Sequence, residues 1–222
     1  HLIDKFLANS TATVSLPDFS KITIDRGLIV RGSANYKRFE KKNFVSPRAF
    51  LGSNAVIWYT GNEHDEDGHT SEDPVNRIEM YEKRIKKLEI ADKELPSDSR
   101  AILYGSRGTK VLLTGWGSVK GPVLDAISRL KNLDASYLHI KMFSPFPKDY
   151  VKDILEQSDI LIAVEHSYDA QIAKLITLHT GIKIPHAILK YTGRPIYENE
   201  IIYAIEKILS EKSKKVVLSY GE

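Results

Sequence analysis

The second half of the chain alternates short apolar runs with segments patterned for helix, and that alternation leaves few folds open. Val111-Leu112-Leu113-Thr114 is an apolar run ending in Gly115, and reads as a buried strand. A helix is expected from about Pro122 to Lys131, with Pro near its first turn and Val123, Leu124, Ile127 and Leu130 at helical spacing. Ser136 to Phe143 reads as a second strand, closed by Ser144-Pro145-Phe146-Pro147. A helix from about Lys148 to Gln157 follows, then a strand from Asp159 to Val164. Asp169 to Thr180 is helical in pattern and Gly181 takes the C′ position, where a left-handed residue ends the helix. His186 to Lys190 is a short strand, and Glu198 to Leu209 a last helix with Ile201, Ile205 and Ile208 on one stripe. Strands that are apolar on both faces and alternate with helices imply a mostly parallel sheet covered on both sides. Four such units in about 100 residues make a complete α/β domain, so the expected division is residues 1–95 and 96–222.

The first half lacks this rhythm. Thr11-Ala12-Thr13-Val14 and Ile22-Thr23-Ile24 have extended character, but no strand–helix unit recurs from Gly27 to Gly61. A long irregular stretch inside a compact domain usually marks a functional or interface loop. Residues 1–95 are therefore expected to complete a domain begun elsewhere and not to fold alone. The first residue is His, which points to processing or to a piece of a longer polypeptide. One helix here is well signalled. Asp73-Pro74 supplies an N-cap and a first-position Pro, after which Val75, Ile78, Tyr81, Ile85 and Leu88 fall on one stripe. Leu95-Pro96-Ser97-Asp98-Ser99 reads as the linker between the halves.

Composition enters mainly by what it excludes. There is no cysteine, hence no disulfide and no thiolate-held iron–sulfur cluster on this chain. The 32 Lys and Arg against 29 Asp and Glu leave no concentrated basic face, so nucleic acid is not the expected partner. The clusters at Lys37, Arg38, Lys41, Lys42 and at Lys212, Lys214, Lys215 read as solvated surface. No apolar run nears the ~20 residues that span a bilayer, so no membrane association is expected and the cytoplasm is the expected location. Glutamine only at Gln157 and Gln171, with many charges, matches thermophile composition.

The most distinctive run is Gly61-Asn62-Glu63-His64-Asp65-Glu66-Asp67-Gly68-His69, leading into Glu72-Asp73-Pro74. Imidazoles among carboxylates are ligand types for Zn, Mn or Fe, although the spacing is that of no known zinc helix and the glycines indicate a loop. A metal site, an interface or active-site-rim loop, and plain surface remain open. Arg48, in Ser46-Pro47-Arg48, is placed either to meet a carboxylate by a bidentate contact or to make a structural ion pair. Gly115-Trp116-Gly117-Ser118-Val119-Lys120-Gly121 stands where phosphate-binding loops occur, but its third Gly is late and Trp116 crowds the turn. Glu165 and His166 close the third strand. They have the chemistry of an acid/base pair, yet neighbours on a strand point to opposite faces, so an inter-domain hydrogen bond is the expected role. No catalytic, cofactor-binding or metal-ligating residue is assigned; Arg48, Glu63, His64, Asp65, His69, Glu165 and His166 are candidates for an interface or active-site rim.

Taken together these runs resemble the α subunit of archaeal 2-oxoacid:ferredoxin oxidoreductases. The resemblance rests on Ser46-Pro47-Arg48, the run from Gly61 to Pro74, Arg77, Met80, Lys83 and Arg84, then Gly115-Trp116-Gly117-Ser118, Val164-Glu165-His166-Ser167 and Lys190-Tyr191-Thr192-Gly193-Arg194-Pro195. It implies a three-layer domain like that ending transketolases, preceded by the end of a pyrimidine-type thiamine domain. It also implies an assembly that decarboxylates 2-oxoacids, reduces ferredoxin and forms acyl-CoA. Thiamine diphosphate, Mg²⁺ and a [4Fe–4S] cluster would then belong largely to a β subunit, and CoA to the complete enzyme. The implied partners are that β subunit, the upstream remainder of the α subunit and, for the complex, ferredoxin. A non-catalytic α/β scaffold and a Rossmann-like nucleotide-binding domain are the alternatives.

Overall fold

The computed structural model describes Ile3 and residues 5–219. The chain divides into two compact units, Thr13–Glu94 and the described residues of 1–12 and 95–222.

In the larger unit, β1 (Ala101–Tyr104), β2 (Val111–Trp116), β3 (Ala135–Ile140), β4 (Ile160–Glu165), β5 (His186–Leu189) and β6 (Lys215–Val217) form one sheet in the order β1-β3-β2-β4-β5-β6. All neighbours are parallel except β1, which runs antiparallel along β3. This unit's helices are α1 (Lys5–Asn9), α3 (Ser97–Arg100) and, covering the sheet, α4 (Lys120–Arg129), α5 (Lys148–Leu155), α6 (Gln171–Thr180) and α7 (Glu198–Glu211). Alternate strand residues feed two cores. Leu112, Leu138, Leu161 and Ala163 pack with Val151 and Ile154 of α5 and Ile172 and Ile176 of α6. Val111, Leu113, Ile162 and Val164 pack with Val123 of α4 and Ile201 and Ile205 of α7. That pleat-by-pleat division is the physical content of strands apolar on both faces.

Each strand–helix unit expected from periodicity is present. The helix around Pro122 begins at Lys120, which puts the proline in the first turn, where its missing N–H costs nothing. Gly181 ends α6 with φ of 76°. Two edge strands escaped the pattern. β1 has four residues and β6 three, too few to show a period, and β6 begins at Lys215 of the basic cluster read as surface. The short helix α3 (Ser97–Arg100) occupies part of the expected linker.

On β3 the Tyr137 hydroxyl lies 2.9 Å from Nδ1 of His139. Burial pushes the phenol far above its usual range, so it stays protonated and donates to a neutral imidazole. Burial, with Lys120 and Lys141 nearby, holds the His139 ring down at about 4 against an ordinary 6.5. The unfolded chain therefore binds this proton first as pH falls. Stability linked to His139 is whole above about pH 6.5 and drains between 6.5 and about 4, by on the order of 2 kcal/mol after discounting for partial exposure. Melting temperatures across that window, compared with His139→Gln, check this: the variant should lose that part of the slope.

The smaller unit is built differently. Helix α2 (Pro74–Glu94) is its longest element, and the rest is loop with isolated bridges, Ile29 to Arg48 and His64 to Thr70. Neither Val14 nor Ile22–Ile24 joins a strand; a 3₁₀ turn at Phe19–Lys21, capped by Asp18, lies between them. Met80 is the one buried hydrophobic side chain among this unit's described residues. The α2 stripe of Val75, Ile78, Tyr81, Ile85 and Leu88 is 43–62% exposed, while Asn76, Met80 and Lys83 on other faces are buried.

Candidate functional site

The acidic run folds into a tight turn against α2. One carboxylate oxygen of Asp65 accepts the N–H groups of Asp67, Gly68 and His69, each at 3.0 Å, closing an Asx-type turn. Gly68 takes φ of +96°, and a Cβ there would meet the Trp58 carbonyl oxygen at 2.3 Å. Glu63 receives both arms of the Arg84 guanidinium at 3.0 and 2.7 Å, which holds its carboxyl below the usual range despite burial. Glu66 accepts the Lys41 N–H at 2.7 Å and the Lys37 ammonium at 2.9 Å, and is lowered in the same way. Asp73 caps α2 through the Asn76 N–H at 2.6 Å, and the Asn76 amide donates to the His64 carbonyl.

The two imidazoles of this run go to separate partners. His64 lies against Phe39, with its Nδ1 3.0 Å from the Asn62 carbonyl oxygen. His69 lies against Trp58. Among the described residues no group of three or more His, Cys, Asp or Glu side chains is arranged to hold a metal ion. Arg48 pairs through its backbone with Leu28 and Val30, and its side chain shares a cavity with His64. The structure thus gathers Arg48, Glu63, His64, Asp65 and His69 into one unit, in which the acids organise the loop.

In the larger unit, Glu165 and His166 stand at the end of β4 beside the end of β2. The chain leaves β2 toward β3 on one side and returns to β4 on the other, so this is where the strand order reverses. Open α/β sheets place ligands at that point. A cleft of about 980 Å³ opens here, lined by Trp116, Ser118, His166, Tyr191 and Arg194. His166 faces the cleft, whereas Glu165 is fully buried. The Glu165 carboxylate accepts the Ile172 N–H at 3.0 Å, at the positive end of α6, and the Trp116 indole N–H at 3.5 Å. Burial pushes its carboxyl above the usual range against the pull of those donors. Its role is therefore to tie the β2–α4 turn to the start of α6. Just before that turn, within β2, Gly115 lies close against β4: a Cβ there would meet the Val164 carbonyl oxygen at 2.6 Å.

Sequence reasoning missed the ion pair beneath the cleft. Lys190 follows β5 and places its ammonium 2.7 Å from each carboxylate oxygen of Glu200, with both residues buried. Glu200 also accepts the Tyr197 N–H at 2.9 Å as part of a capping box. A charged residue directly after the apolar run Ala187-Ile188-Leu189 was the available signal.

No protein-family model matches the chain. Curated relatives do. The chain is 49% identical, over its whole length, to 2-oxoacid:ferredoxin oxidoreductase 1, subunit alpha, of Aeropyrum pernix, covering 36% of that protein. It is 45% identical to the corresponding subunit of Sulfurisphaera tokodaii and 42% to 2-oxoacid:ferredoxin oxidoreductase subunit alpha of Saccharolobus solfataricus, again covering 36% of each. The chain thus spans about a third of the length of these relatives. Among solved structures, a 2-oxoglutarate:ferredoxin oxidoreductase from Magnetococcus marinus, with 2-oxoglutarate, coenzyme A and succinyl-CoA bound, superposes with a TM-score of 0.71 at 27% identity. That match covers 86% of this chain and 34% of the other.

Proposed function

Because the chain is a homologue, along its whole length, of the C-terminal part of archaeal 2-oxoacid:ferredoxin oxidoreductase α subunits, we propose that it serves such an enzyme by subunit contact and by covering the active site. The observation that carries this reading is the smaller unit. With one buried hydrophobic side chain and an exposed apolar stripe on α2, it has too little core to stand as an independent catalyst. The exposed Val75, Ile78, Tyr81, Ile85 and Leu88 are the contact surface of this proposal, and the turn carrying Glu63, His64, Asp65 and His69 is the rim, with Arg48 beside it. Residues 1–95 would end a pyrimidine-type thiamine domain. Residues 96–222 would form the transketolase C-terminal-like domain, a reading supported by the mostly parallel six-stranded sheet.

The reaction of the complete enzyme is oxidative decarboxylation of a 2-oxoacid to acyl-CoA, with ferredoxin as electron acceptor. The metal groups it implies do not fit the described residues of this chain. Without cysteine there is no thiolate for a [4Fe–4S] cluster. The carboxylates of Glu63, Asp65 and Glu66 are committed to Arg84, Lys37 and backbone N–H groups, and among the described residues no group of three or more His, Cys, Asp or Glu side chains is arranged to hold Mg²⁺. Those groups are assigned to the β subunit, and CoA to the assembled enzyme. No helix among the described residues is long and apolar enough to cross a membrane; a cytoplasmic setting is part of the proposed reading. The test is 2-oxoacid-dependent dye reduction, expected from the reassembled complex and absent from the chain alone.

A further inference from the structure

A second cavity, of about 280 Å³, lies wholly within the smaller unit, between the loop around Phe44 and the inner face of α2. Arg38, Arg48, Lys83, Arg84 and Lys87 line it together with His64, and no carboxylate does. Of these, Arg84 is matched by Glu63. Lys83 is only 7% exposed, and its ammonium donates to the carbonyl oxygens of Asn43 and Phe44, dipoles that satisfy donors without cancelling charge. Burial and the neighbouring Lys87 both disfavour its charged form, while Glu40 and Glu66 oppose them from outside the cavity. Glu66 is already engaged by Lys37 and the Lys41 N–H, and Glu40 by the Asn43 amide. Arg48 and Lys87 have no carboxylate partner among the described residues.

A cavity lined by charges of one sign, with no carboxylate in its wall, concentrates a positive field that draws an anion into it. Arg48 is the side chain suited to a two-oxygen contact, and Phe44, Val45 and Met80 add an apolar wall. We propose that this cavity is an anion subsite, taking the phosphate or carboxylate end of an organic anion whose apolar part rests on Phe44 and Met80.

The inference stands on the cavity and not on the oxidoreductase reading; anion binding and dye reduction are separate readouts, so either can fail without the other. The probes are inorganic phosphate, 2-oxoglutarate and coenzyme A, titrated calorimetrically into the chain at low ionic strength. A phosphate source and a carboxylate source are thereby told apart. At least one organic probe should bind more tightly than inorganic phosphate and weaken at high salt. R48Q/K87Q should weaken it tenfold or more. Both side chains are solvent-exposed, so the variant should keep the turn, as checked by hydrogen-exchange protection of the Lys41 and His69 amides. No binding of any probe, or binding that R48Q/K87Q leaves unchanged, overturns the proposal.

Discussion

Lys190→Met is expected to cost the larger unit about 3–5 kcal/mol, the range for stranding one member of a buried ion pair. The Glu200 carboxylate would keep the Tyr197 N–H and lose both of its contacts to the Lys190 ammonium, in a place where water cannot replace them. Glu200→Leu alone should be about as damaging, since it leaves a buried ammonium. Combining the two removes both charges together and should recover most of the loss. It should remain short of wild type by about 1 kcal/mol for the broken capping box. Urea midpoints of the three variants, with equal slopes, check this. Additive losses in the double variant would mean that the two side chains contribute independently rather than as a pair.

Gly68→Ala should be the most disruptive small substitution in the other unit. The added carbon would sit 2.3 Å from a backbone oxygen and 3.2 Å from the Phe39 ring, on a residue held at φ of +96°. Backbone strain of about 1–3 kcal/mol adds to the steric overlap, so the turn should open rather than shift. Three N–H groups would then leave Asp65, and Glu63 and Glu66 would lose their fixed positions beside α2. Amide exchange at Asp67, Gly68 and His69 should rise by at least tenfold. The urea transition of the larger unit should stay within about 0.5 kcal/mol of wild type.

Much of the larger unit was legible because its signal is local. A strand apolar on both faces, followed by a helix with a Pro start or a Gly end, needs no distant information, and Val111–Trp116 and Gln171–Thr180 follow that logic. The edge strands were not legible, since Ala101–Tyr104 and Lys215–Val217 gain their identity only by lying against β3 and β5. In the smaller unit the Asp73-Pro74 start located α2. The fate of its faces could not be read, however: Lys83 turns inward to carbonyls forty residues back, while Tyr81 and Ile85 stay in solvent. Periodicity identifies an apolar stripe without saying whether its cover lies in the same chain.

The same division holds for the candidate residues. Glu63, His64, Asp65 and His69 were conspicuous as a run, but what each does depends on Arg84, Phe39 and Trp58, which sequence distance hides. Glu165 and His166 were read as pointing to opposite faces of a strand; Glu165 is buried and His166 lines the cleft. One caps α6 from inside the fold, and the other faces the cleft where the strand order reverses. The Lys190–Glu200 pair shows the opposite limit. Lys190 is marked only by the apolar run before it, and nothing in the sequence joins it to Glu200, ten positions on, until β5 and α7 are packed together.

The central claim is that this chain contributes contact and cover to an oxidoreductase and no catalysis of its own. Dye reduction dependent on both a 2-oxoacid and CoA tests it most directly, measured on the purified chain, on the complementary subunits without it, and on the reassembled mixture. The account predicts turnover from the mixture and background from the chain at any concentration; turnover from the chain alone would contradict it.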